Sequence, residues 1–346
     1  MAPFRILTLG FALAVGGHAL TIGQQPPVPK EPHRFLRTVA GFEPSQLDAL
    51  DRGEPLAKVL DTDRRQIAVV GAIRIKAEPG RLIDRYRDVA SLRNSPIVLQ
   101  LGVFSSPPRV DDFQGLTFEP YDLQTIRNCK PGDCGVRLPA PAMARFNRDV
   151  DWRASNWTDQ AAALWRQLLV DYTTEYQTAG SLAEYRNREE PLRVAEEFGV
   201  LFDDSDYFTS LSPDLFAYLR RYPRAPLDGV EDIFYWSKDN VGVRPVTSIT
   251  HRTIYAPRGN PASPRLAIVA TKQIWATHYF DAGFGLTIAF DDGASGFYML
   301  SLNRARTRSL TGVMRSMIRS TVQRRSRDAI ESVLRSTKAS LERPRR

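Results

Sequence analysis

The side chains able to do chemistry are few, and their spacing limits what they could do together. Beyond the first 23 residues the chain has three histidines, His33, His251 and His278. His251 and His278 fall in two β-branched stretches, 246–255 and 266–280, which flank a Pro/Gly-rich loop and should pair as a long hairpin. Lys272 and His278 share parity with Leu266, Ile268, Ala270, Ile274 and Ala276, so strict alternation puts two polar groups on an apolar face. A buried amine or imidazole is costly unless paired. The pair therefore points to a ligand headgroup, an internal carboxylate, or a strand end that touches water. As acid–base groups, His278 and Lys272 could serve a hydrolase or cyclase. Trp275, of opposite parity, should face away from Lys272. Two histidines do not make a metal site, and none is expected.

Arg304, Arg306 and Arg308 alternate at the end of the last strand-like segment and could meet an anionic headgroup, or salt-bridge to acidic residues elsewhere. Tyr235, in Phe234-Tyr235-Trp236-Ser237-Lys238, completes the candidate ligand set of Tyr235, His251, Lys272, Trp275, His278 and Arg304. Familiar enzyme signatures are missing: there is no His-Glu-x-x-His, no phosphate-cradling glycine loop and no Gly-x-Ser-x-Gly elbow. Asp203, Asp204 and Asp206 lack the glycine and glutamate of a calcium loop and read as a solvated turn. No cofactor is expected.

The two cysteines sit in Cys129-Lys130-Pro131-Gly132-Asp133-Cys134. Pro-Gly at the centre suits a type II turn, which brings its flanks to disulfide distance. In an oxidising compartment such a pair becomes a local staple. Its spacing is not that of a redox Cys-x-x-Cys, and no zinc ligands accompany it.

Charge is concentrated. The chain has a net charge of +8, yet residues 301–346 hold 13 basic and three acidic side chains, leaving the other 300 near −2. A single basic element, on a chain that reads as exported, argues against nucleic acid and for an anionic lipid surface or small anion.

Met1 to Gly23 reads as a cleavable secretory leader, with Arg5 ahead of a short apolar run, which implies a periplasmic or secreted protein. Residues 24–60 read as a proline-rich spacer and N-terminal segment. Residues 61–341 read as one elaborated α+β domain, with a mainly helical insertion over 110–230 and a sheet plus terminal helix over 232–341. Residues 342–346 form a basic tail. Strands are expected over 66–76, 97–104 and five segments from 232 to 303. Helices are expected over 79–92, 158–180, 192–198, 213–221 and 309–341.

This order of elements, over 66–93 and 232–341, resembles the START/Bet v 1-like helix-grip superfamily. The resemblance implies a curved antiparallel sheet wrapped on the C-terminal helix, enclosing a cavity for lipids, sterols or other apolar molecules. Separately, 234–238, Lys272-Gln273, His278-Tyr279-Phe280 and Asn303-Arg304-Ala305-Arg306 look like an exported bacterial family without assigned function. The expected function is binding of an apolar or amphipathic small molecule. The alternatives are an envelope enzyme using His278 and Lys272, and a membrane-surface or interaction protein acting through the basic helix.

Overall fold

The computed structural model describes residues 32–185, 191–241, 244–256, 266–293, 296–308 and 315–343, with side chains of the last segment from 319 onward. The leader and the first residues of the spacer lie outside them, as do 309–314, the expected start of the last helix, and 344–346 of the expected tail. Elements run α1 (His33–Thr38), α2 (Pro44–Asp51), β1 (Leu56–Leu60), β2 (Gln66–Ile75), α3 (Gly80–Arg87) and β3 (Val98–Val103). Then come α4 (Pro120–Arg127), α5 (Ala140–Asp149), α6 (Trp157–Ala179), the two-residue strands β4 (Glu184–Tyr185) and β5 (Leu192–Arg193), α7 (Val194–Asp203), α8 (Asp206–Leu211) and α9 (Pro213–Arg221). The chain closes with β6 (Val230–Asp239), β7 (Val246–Tyr255), β8 (Leu266–Ala276), β9 (Ala282–Asp291), β10 (Phe297–Arg306) and α10 (Arg315–Leu341).

The fold is α+β. Among the described residues eight strands form one antiparallel sheet in the order β1-β2-β10-β9-β8-β7-β6-β3. The expected curvature is corrected: the sheet is open and uncurled, with β1 and β3 as its edges. The physical reason is that both faces are covered. Helices between 120 and 221, with α1 and α2, bury one face against Trp165, Phe198, Phe202 and Phe216. On the other face α3 and α10 pack on Ile67, Val69, Ile73 and Met299. A sheet with both faces covered has no need to close round one helix.

The expected spacer is also corrected in part. Residues 33–60 hold α1, α2 and β1, and Leu36, Leu50, Leu56 and Leu60 enter the core. α2 starts with Pro44 in its first turn and a reciprocal Glu43–Gln46 capping box.

The last helix lies on β1 and β2 rather than across the middle of the sheet. Gly71 on β2 permits this approach: an added Cβ would stand 2.6 Å from Ile330 Cγ2 and 2.8 Å from Leu334 Cδ1. Gly71→Ala should therefore force α10 outward and cost about 1–3 kcal/mol, as overpacking does. A urea unfolding midpoint unchanged by this substitution would contradict the contact.

Candidate functional site

Among the described residues, one feature that could hold a second molecule is a groove of about 480 Å³ between the sheet and α10. Its origin is visible in β9, where large and small residues alternate. Phe284, Leu286, Ile288 and Phe290 enter the core on the helical side, while Gly283, Gly285 and Thr287 lie under the groove. Neighbouring strands continue this floor with Thr271 and Gln273 of β8 and with Ser301 and Asn303 of β10. A Cβ on Gly285 would lie 2.5 Å from Thr271 Oγ1 and 2.8 Å from Asn303 Oδ1, so the glycine lets those polar groups close over the backbone. Apolar walls come from Ile67, Val69 and Val269 below, and from Ala329, Ile330 and Val333 on α10. Val333 is 49% exposed, a valine held out over open space rather than packed.

One end of the groove is aromatic. Tyr86 of α3 and Tyr235 of β6 both line it, and the Tyr86 hydroxyl is 2.9 Å from Thr287 Oγ1. Burial pushes the Tyr86 pKa above its ordinary value. Against both rings lies Arg252, its guanidinium carbon 5.3 Å from the Tyr86 centroid and 4.8 Å from the Tyr235 centroid.

The six residues singled out from sequence do not form one site. Tyr235 lines the groove, and Arg304 touches it. Along one rung of the sheet, register pairs Phe234 with His251, His251 with Lys272, Lys272 with Phe284, and Phe284 with Arg304. That rung belongs to the opposite, helical face, where His251 and Lys272 do meet. His251 is 1% exposed; its Nε2 is 2.7 Å from Asp232 Oδ1 and its Nδ1 is 3.0 Å from the Tyr176 hydroxyl. Burial lowers the His251 pKa despite Asp232. Burial would raise that of Asp232, but hydrogen bonds from His251, Tyr218 and Thr253 help bring it below the usual carboxylate range. A neutral ring therefore donates from Nε2 to the carboxylate and accepts at Nδ1 from Tyr176. Burial holds the Tyr176 proton firmly, with its pKa well above the ordinary value. The chain of three is a satisfied internal network.

Lys272 is 4% exposed and donates to the Leu219 carbonyl, 3.1 Å away near the C-terminus of α9. Its ammonium also lies 5.0 Å from the Phe198 centroid, 5.2 Å from Tyr176 and 5.9 Å from Phe202. Desolvation pulls its pKa down to about 7. Trp275 joins the same face, contrary to the parity expectation: Ile249 pairs with Trp275 and Thr250 with Gln273, so a bulge at Ile274 turns the tryptophan over. It packs edge-on against Trp165 and donates to the Arg137 carbonyl at 3.2 Å.

His278 stands apart. Its Nε2 is 3.0 Å from Asp122 Oδ1 and its Nδ1 is 3.0 Å from the Gly135 carbonyl. It ties the end of β8 to α4 and to the loop closed by the Cys129–Cys134 disulfide. Both of its nitrogens are engaged, and its partners differ from those of Lys272. Arg306 is held by Glu197 and by Asp63 at 2.7 Å, the salt-bridging alternative for this arginine.

Sequence reasoning missed the groove floor and Arg252. The usable signal was the small half of the β9 alternation, Gly283-x-Gly285-x-Thr287, under a helix with too few large residues to fill it. Among the described residues no helix is long and apolar enough to cross a membrane, and no three His, Cys, Asp or Glu side chains gather to hold a metal ion. On α10, Ile330, Leu334 and Leu341 are buried against the sheet, so those apolar residues are not offered to lipid. Comparison with protein-family models, curated proteins and solved structures finds no match to this chain, so the site is read from its own geometry.

Proposed function

We propose that this protein binds an amphipathic small molecule in the groove beneath α10. The observation that carries this reading is the mixed lining, with hydroxyl and amide groups of Thr271, Gln273, Ser301 and Asn303 on the floor and aliphatic walls from Val69, Val269 and Val333. Small-molecule sites combine mostly apolar walls with a few fixed polar groups. The disulfide, together with the leader-like N-terminus, supports a periplasmic or secreted setting.

The test is extraction of the purified protein with organic solvent and mass spectrometry of what is released. Ala329 lines the groove from an exposed position, so Ala329→Trp should block it without disturbing the core. The wild type should release an amphiphile, and the variant about tenfold less, equivalent to about 1.4 kcal/mol in affinity. Equal recovery from both proteins, or recovery from neither, would overturn the proposal.

A further inference from the structure

We infer that the aromatic end of the groove is an anion site, in which Arg252 receives the carboxylate of an amphipathic acid. This rests on the groove being the binding site and names the class of molecule it takes. Arg252 is 3% exposed. Its Nη1 donates to the Tyr86 carbonyl at 2.6 Å and its Nη2 reaches the Tyr235 hydroxyl at 3.4 Å, a long contact. Its Nε–H is buried and has no hydrogen-bond partner among the described residues. Among the described residues no carboxylate forms an ion pair with it, in contrast to the buried arginine Arg306, which has Glu197 and Asp63.

A buried cation with an unmade hydrogen bond is costly, and a ligand that completes it recovers that cost. The free Nε–H and the weakly engaged Nη2 lie on the same edge of the guanidinium. That edge is the fork a carboxylate engages with two parallel bonds. Tyr86 and Tyr235 line the groove and flank the guanidinium, so an acid whose tail lies along Val69, Val269 and Ile330 directs its head to this end. Arg252 lies behind the groove wall formed by Tyr86 and Tyr235, so the entering carboxylate must move the Tyr235 ring and displace its 3.4 Å hydroxyl contact.

The experiment compares decanoate with decanol on the full chain by isothermal titration calorimetry. It uses the wild type, Ala329→Trp and Arg252→Gln. Decanoate should bind the wild type at least about tenfold more tightly than decanol, the value of one good charge-assisted pair. Arg252→Gln should erase that preference, while Ala329→Trp should weaken both. The wild-type comparison needs no variant, so it stands if Arg252→Gln does not fold. Equal wild-type affinities that Ala329→Trp weakens would overturn the anion site and leave the groove reading intact. Binding of neither probe would overturn both, as would equal affinities that Ala329→Trp leaves unchanged.

Discussion

Glu197→Ala is expected to lower the stability of the folded chain by about 3–5 kcal/mol, the cost of removing one partner from a buried ion pair. Glu197, on α7, meets Arg65 at 2.5 Å and also Arg306 at the end of β10. Arg65 reaches Asp281 at 3.3 Å, and Asp281 in turn meets Arg137 at 2.5 Å. The side chains of Arg306, Glu197 and Asp281 are 6%, 8% and 0% exposed. The cluster balances three arginines with Asp63, Glu197 and Asp281, and it joins the helical layer to the ends of β2, β9 and β10. Without Glu197 the charges no longer balance, and Arg306 keeps only Asp63, which is 51% exposed. Urea unfolding monitored by circular dichroism reads the loss directly. A loss below about 1 kcal/mol, the range of surface pairs, would show that water reaches the cluster. Because most domains are stable by only about 5–15 kcal/mol, the full effect would place the variant near the edge of folding.

Lys272→Met should have the opposite sign, stabilising the protein by about 1–4 kcal/mol near neutral pH. A pKa of about 7 where 10.5 is ordinary means that burial opposes the charged amine. At about 1.4 kcal/mol for each tenfold change, the protonated form carries a cost of about 5 kcal/mol. The Leu219 carbonyl and the three aromatic faces return part of it. Below about pH 7 both folded and unfolded chains are protonated, and the folded state bears the whole cost. Between about 7 and 10.5 only the unfolded chain holds the proton, so wild-type stability rises with pH. The advantage of methionine should therefore be largest below pH 7 and fade toward about pH 10.5. Urea unfolding at pH 6, 8 and 10 measures it; a methionine variant less stable at all three would mean that the aromatic cage outweighs desolvation.

The sheet was legible because its signal is local. Alternation in 284–290, the hairpin of 246–255 with 266–276, and the Asp291-Asp292-Gly293 turn each declare a strand within ten residues or so. The helix begun by Pro213 was equally plain, since proline fits the first turn. The N-terminal elements were not, because α1 and β1 have six and five residues and gain their stability from Leu36, Leu56 and Leu60 packing on a distant layer. The site was harder still. His251, Lys272 and His278 drew attention as ionisable groups, yet each is satisfied by a partner far away in sequence, Tyr176, Leu219 and Asp122. No spacing rule could foresee the bulge that turns Trp275. The groove is made of what is missing, side-chain volume on β9, and sequence patterns register large residues more readily than absent ones.

The way α10 is held has a consequence for what the groove can admit. Near its start Arg319 donates to the carbonyls of Asp63 and Arg64, at 3.1 and 3.3 Å. Further along, Ile330 and Leu334 rest on Gly71, and Lys338 donates to the Arg74 carbonyl at 2.8 Å. The helix is thus a beam on two bearings. The bearings at Arg319 and Ile330 are eleven residues apart, about 16 Å at helical rise. Such a beam would fix the headroom above the groove floor, so under the proposed binding function it would limit the thickness of a molecule held there.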